Sequence, residues 1–182
     1  MFNKGQVTAP FELLVAIIIM AFVLIVGSQM LGQVTDQVCM SHVEKEMSEF
    51  VTYLEDTANN KSTSKFIFSP QSVCFNDDEH IMKIVRERDS KVCSSKCGIP
   101  QDTCYIMLFH TSDVALGYKE RCINLPVYTN FAVDDSTCTT LDDLAGYMVI
   151  NPSDKIPFGS YVLKNVARTG ETWPNVCFYH KG

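Results

Sequence analysis

Cys39, Cys74, Cys93, Cys97, Cys104, Cys122, Cys138 and Cys177 are the side chains of this 182-residue sequence best able to do chemistry. Thiolates bind metals, attack electrophiles or pair as disulfides, and spacing and compartment decide among these. Cys93-Ser-Ser-Lys-Cys97 followed by Cys104 is too loosely spaced for a zinc knuckle, and no Cys-x-x-Cys-His haem signature occurs. The other catalytic residue types are dispersed. His42, His80, His110 and His180 share no motif, and there is no Gly-x-Ser-x-Gly, no His-Glu-x-x-His and no phosphate-binding glycine loop. Gly159-Ser160-Tyr161 leads into an expected strand, the wrong setting for a nucleophile on a helix. The densest acidic spot, Asp77-Asp78-Glu79-His80, reads as a solvated turn rather than a cation site, and Asp134-Asp135 and Asp142-Asp143 read as surface charge. The expectation is a chain that performs no catalysis and carries no metal or cofactor.

Charge narrows the partners. The net charge is −6 with no Lys/Arg-rich stretch, which argues against nucleic acid, because phosphate contacts need a clustered positive surface. With 46% hydrophobic and 20% charged residues the chain can bury a core, and seven prolines and nine glycines are too few for a linker or collagen-like protein.

The elements that must position the cysteines begin with an apolar run. Leu13 to Gly27 reads LLVAIIIMAFVLIVG without a polar side chain, and Met30 and Leu31 extend it past Ser28 and Gln29. As a helix, Leu13 to Gly32 would be about 30 Å long, roughly the hydrocarbon thickness of a bilayer. A soluble domain of this size seldom needs a core helix apolar on every side, so membrane insertion is expected. An ordinary secretory signal cut after Val26-Gly27-Ser28 is the competing reading. Glu12, directly against the run, fits that poorly, because an acid there is costly to insert without a partner.

The residues ahead of the run are Met1-Phe2-Asn3-Lys4-Gly5-Gln6, then Val7-Thr8-Ala9-Pro10-Phe11-Glu12. This short leader ending Lys4-Gly5-Gln6 before a spanning helix resembles the class III signal peptide of archaeal type IV pilins and related surface-filament subunits. The resemblance covers about the first thirty residues. It implies that a membrane prepilin peptidase cuts between Gly5 and Gln6 on the cytoplasmic side and leaves the apolar helix on the mature chain. The sequence departs from the family pattern in having Thr8 where Ser is frequent and Glu12 later, after Pro10. Pro10 suits the first turn of a helix starting near residue 9 or 10. Glu12 would then lie in that turn, favoured by the helix dipole. In a filament core it would need a cation such as a neighbour's new amino terminus; in a lone subunit it would sit at the headgroup level.

Beyond Gly32 the sequence turns polar with helical spacing. Val34, Val38, Val43, Met47, Phe50 and Leu54 are expected to form one apolar stripe. From Pro10 to Ala58 no further proline intervenes, so a continuous helix of about 49 residues, roughly 73 Å, is expected, with Gly27 and Gly32 as places to bend. A coiled-coil stalk is the alternative for its polar half. Asn59 to Ser64 is a polar cluster that ends the helix, and Asn60-Lys61-Ser62 is an N-glycosylation sequon there.

From Lys65 on, short runs rich in Val, Ile, Phe and Tyr alternate with turn residues. Strands are expected at Lys65–Phe68, Ser72–Phe75, His80–Arg86, Cys104–His110, Arg121–Leu125, Tyr147–Ile150, Ser160–Val166 and Asn175–Tyr179. Asn76 to Glu79 would be a hairpin turn and Thr139 to Leu144 a short helical turn. All eight cysteines follow the apolar run, and on the outer side of a membrane the default for an even number is disulfides. Four bridges allow on the order of a hundred connectivities. Cys39 lies on the long helix, so a partner in the head would lock the two together.

The fold class expected is therefore α+β: a long hydrophobic-then-amphipathic helix on a disulfide-rich, mainly antiparallel β head. Its parts are a leader (1–5), the helix (6–58, spanning or filament-core over 10–32 and amphipathic over 33–58) and the head (59–182). The resemblance implies a structural pilin subunit, first in the cytoplasmic membrane and then in an extracellular filament for adhesion or cell-surface interaction. Its partners would be copies of itself, the membrane before assembly, the prepilin peptidase, and an assembly ATPase with its platform. A non-polymerising anchored ectodomain that binds a ligand, and a secreted disulfide-rich domain released after Ser28, are the alternatives.

Overall fold

The apolar and amphipathic stretches fold as a single helix, α1 (Thr8–Asn60). The computed structural model describes residues 8–60, 62–69, 80–98, 100–111, 118–133, 137–138, 144–167 and 172–182. Two compact units divide the chain between Cys39 and Met40. The first contains the N-terminal part of α1. The second holds its last turns together with, among the described residues, eight strands and a short helix.

Within the second unit, Met40, Val43, Met47, Phe50, Val51, Leu54 and Ala58 are buried, a stripe repeating every three or four residues. Val34 and Val38 do not belong to it and are 56% and 47% exposed. Helical arithmetic gives the reason. At about 100° per residue, Val38 lies about 140° and Val34 about 180° around the helix from Val43, so they face the other way.

Among the described residues eight strands follow: β1 (Thr63–Phe68), β2 (His80–Glu87), β3 (Cys104–Thr111), β4 (Tyr118–Ile123), β5 (Asn130–Ala132), β6 (Met148–Val149), β7 (Gly159–Asn165) and β8 (Asn175–Lys181). The short helix α2 (Ser90–Cys97) lies between β2 and β3. Strands β1, β7 and β8 form an antiparallel sheet in that order. On the other edge of β8, β5 pairs in parallel along Asn175–Cys177 and β6 antiparallel along Tyr179–His180. A second antiparallel sheet runs β2-β3-β4. The fold is α+β and mainly antiparallel, with the β5–β8 pair as the parallel exception.

Most expected strands lie within a residue or two of these bounds. The strand expected at Arg121–Leu125 instead begins at Tyr118 and ends at Ile123. It is the sheet edge, so its polar start, Tyr-Lys-Glu-Arg, faces water and carries no hydrophobic signal, and Pro126 follows shortly after. The expected strand Ser72–Phe75, the turn 76–79, most of the turn 139–144, the acidic pairs Asp134-Asp135 and Asp142-Asp143, and Cys74 lie outside the described residues.

Strand β8 is buried on both faces. Phe178 meets Phe50 of α1 (ring centroids 6.1 Å apart), while Cys177 and Tyr179 pack on the other side with Ala132, Cys138, Leu144 and Val162. Phe50 is the hub, also touching Phe66 and Phe68 of β1 and Tyr161 of β7 edge-on. Phe178 continues through Phe131 to Tyr105 of β3, joining the two sheets. The end of α1 is satisfied from β7: Asn165 Nδ2 donates to Ala58 O at 3.2 Å, one of the carbonyls a helix end leaves open. Glu55 reaches the second sheet, accepting from Asn124 N at 2.6 Å. Gly159 opens β7 at φ 148°, where an added Cβ would lie 2.5 Å from Lys181 O and from His180 Nε2.

Three disulfides are defined: Cys93–Cys104, Cys97–Cys122 and Cys138–Cys177. Cys39 is also disulfide-bonded. Two of the bridges staple α2 to β3 and β4, which an eight-residue helix needs because so short a helix is marginal alone. Asp89 caps its start by accepting from Lys91 N at 2.8 Å, and Gly98 ends it in the left-handed conformation.

Burial pushes the phenols of Tyr105 and Tyr179 above their ordinary 10.0, with Arg86 partly opposing this at Tyr105. A raised phenol favours the folded state fully below pH 10, and that contribution is lost as pH rises through the folded values. The urea midpoint should therefore hold from pH 7 to 9 and fall above pH 10. Tyr105→Phe should flatten the fall while costing about 1 kcal/mol at pH 7, since Tyr105 OH donates to Thr129 O at 2.5 Å. Equal slopes for the variant and the parent would refute this assignment.

Candidate functional site

The surface with most to do is the N-terminal part of α1 itself. A long helix forms here because Leu, Ile, Met, Ala and Phe fill it without proline after Pro10. Its apolar side chains point outward on every side, from Phe11 at 68% exposed to Leu31 at 72%. Among the described residues it is the one helix long and apolar enough to cross a membrane, and none of its most apolar stretch is buried in the chain. The one hydroxyl within the run is satisfied locally: Ser28 Oγ donates to Ile25 O at 2.9 Å. Gly27 and Gly32 sit in the helix without strain, and an added Cβ at either would meet nothing within 4 Å. Both leave room for another backbone to come close.

The helix starts at Thr8, a residue or two before the expected start. Its first turn contains no acidic residue, and Glu12, the fifth helical residue, lies beyond the reach of the strongest dipole effect. Pro10 remains within the first turn, where a missing N–H is no loss. Lys4, Gly5 and Gln6 lie outside the described residues. Asn60 is exposed and is the last residue of the helix rather than part of the following loop; its Nδ2 donates to Asp56 Oδ1 at 2.7 Å.

The cysteines that drew attention as possible ligands or nucleophiles are consumed structurally. Cys93, Cys97, Cys104, Cys122, Cys138 and Cys177 pair with one another. Among the described residues no three His, Cys, Asp or Glu side chains converge on a metal position. Buried His80 is stacked on Phe158, ring centroids 3.8 Å apart, and His180 meets Phe158 O through Nε2 at 2.9 Å. His42 lies on α1, and His110 is exposed on β3, where it pairs with Ile81. Sequence reasoning missed one feature, an open cavity at the start of β5 and β8 lined by Tyr128 and Trp173. These residues are 45 positions apart, and only the parallel pairing of β5 with β8 brings them together.

A long apolar helix followed by a disulfide-stapled α+β unit is the architecture of a membrane-anchored or extracellular protein, and it is compatible with a pilin-like fold. Comparison with protein families, with characterised proteins and with solved structures finds no match.

Proposed function

We propose that this chain is a structural subunit of a type IV pilus-like filament of the archaeal kind, assembled through its N-terminal helix and displaying its β unit for adhesion or cell-surface interaction. The observation that carries the reading is the change of environment along α1. From Phe11 to Val38 its large apolar side chains lie uncovered, and from Met40 on the same helix buries one stripe in the β unit. A lone anchor needs only the first property. A filament subunit needs both, so that the helix is held by its head at one end and is available to sister helices at the other.

Assembly would exchange lipid contacts for packing between helices, with Gly27 and Gly32 as points of close approach. Glu12 would be charge-compensated by the amino group of Gln6 on a neighbouring subunit after a membrane peptidase cuts at Gly5. An ATPase and a membrane platform would extract the mature subunits. The β unit would face outward, where disulfides persist.

N-terminal sequencing of the native protein, together with electron microscopy of sheared surface material, tests this. Filaments whose subunits begin at Gln6, or its cyclised form, are expected. A start at Met1 without filaments identifies a plain anchor, a start at Gln29 identifies a secreted domain, and either overturns the proposal.

A further inference from the structure

We propose that the cavity at the head of the parallel pair β5–β8 binds a neutral pyranose ring of an oligosaccharide, a site that does not depend on whether α1 polymerises. The cavity, about 420 Å³, is lined by Tyr128, Asn130, Thr172, Trp173, Pro174 and Asn175, and its size suits a small organic ligand. Trp173 and Tyr128 are 50% and 56% exposed yet touch edge-to-face, with centroids 4.4 Å apart and planes at 61°. Scattered exposed apolar residues need no explanation, but two aromatics in contact on the wall of a cavity rimmed by amides form a recognition surface.

The surface is held in place. Thr129 N and Oγ1 both donate to Pro126 O, at 2.9 and 2.8 Å, fixing the turn that carries Tyr128. Trp173 precedes Pro174, which confines its backbone to extended conformations, and Pro174 O accepts from Asn130 N at 3.0 Å. Little ordering remains for a ligand to impose. Asn130 and Asn175 are register partners, and Asn130 Nδ2 donates to Asn175 Oδ1 at 3.1 Å. That leaves Asn130 Oδ1 as an acceptor, with one N–H of Asn130 and two of Asn175 as donors.

These parts select a chemical class. The electron-rich faces of indole and phenol take the polarised C–H face of a sugar ring. Hydroxyls donate and accept at once, and a pair of amides offers both. The described lining residues, two amides, a hydroxyl, two aromatics and a proline, offer neutral donors and acceptors rather than charges. A proline-rich peptide needs a slot between separate aromatic ridges, whereas here the two rings are in contact and leave none.

Trp173 is the sole tryptophan of the chain, so its emission in the detergent-solubilised full-length protein reports on this cavity directly. Titration with neutral gluco-, manno- and galacto-configured oligosaccharides is expected to give a saturable change for at least one of them, with a Kd on the order of 1 mM per ring engaged. Tyr128→Ala should raise that Kd by about tenfold or more while the thermal midpoint stays near the parent's. If that variant does not fold, protection of Trp173 from acrylamide quenching by the same sugar in the parent protein serves instead. No saturable response to any neutral sugar, a response confined to a sialylated oligosaccharide or a proline-rich peptide, an unchanged Kd in Tyr128→Ala, or a shift on filament assembly without sugar would each overturn the proposal.

Discussion

Phe50→Ala lowers the stability of the β unit by about 3–5 kcal/mol, the cost of emptying a fully buried aromatic position. Phe50 is wholly inaccessible and contacts Phe66, Phe68, Tyr161 and Phe178, so one truncation removes α1's purchase on β1, β7 and β8 together. Collapse cannot refill the space, because the surrounding rings belong to three different strands fixed by their ladders. Phe50→Leu, which keeps most of the volume, should cost less than about 1.5 kcal/mol. Tyr53→Ala, one turn on and partly exposed, should cost less than Phe50→Ala although Tyr53 stacks on Phe66. Urea denaturation of the three variants measures the order. A cost for Phe50→Ala no greater than that of Tyr53→Ala would show that this ring is not the hub.

Removing the Cys138–Cys177 bridge as Cys138→Ala with Cys177→Ala should cost about 4 kcal/mol and lower the thermal midpoint by roughly 10–20 °C. The magnitude follows from loop length. These cysteines are 39 residues apart, against 11 for Cys93 and Cys104, whose removal should cost about 3 kcal/mol on the same chain-entropy estimate. Alanine rather than serine is the informative replacement, because both Cys138 and Cys177 are fully buried and a hydroxyl there would need a partner. Calorimetry of the two double variants decides the matter. A larger loss for the shorter loop would place the effect in native packing around α2 rather than in the unfolded chain.

Much of this architecture was legible in the sequence because its signals are long or alternating. Fifteen unbroken apolar residues followed by an amphipathic stretch specify α1, and runs such as Cys104–His110 and Ser160–Val166 specify the strands. Short elements decided by tertiary contacts were not legible. β5 has three residues and exists because β8 lies beside it. α2 was hidden among cysteines, although Asp89 before it and Gly98 after it are the start and stop signals that would have found it. The stripe on α1 was extended two valines too far, since gaps of four and five residues look alike in a string but differ by about 100° on a helix. The cavity beside Trp173 left no trace at all, being made by the pairing of strands distant in sequence.

The central place of β8 has a bearing on biogenesis. Every other described member of its sheet precedes it in the chain; β1 must wait for β7 some ninety residues later, and β7, β5 and β6 have no common neighbour until residues 175–181 emerge. At translation rates of about 5–20 residues per second, the interval between β1 and β8 lasts about 5–20 s. Throughout it the side of Phe50 that Phe178 covers stands open, so a nascent molecule crossing the membrane would depend on a holding factor, or on the lipid surface itself, until its keystone arrives.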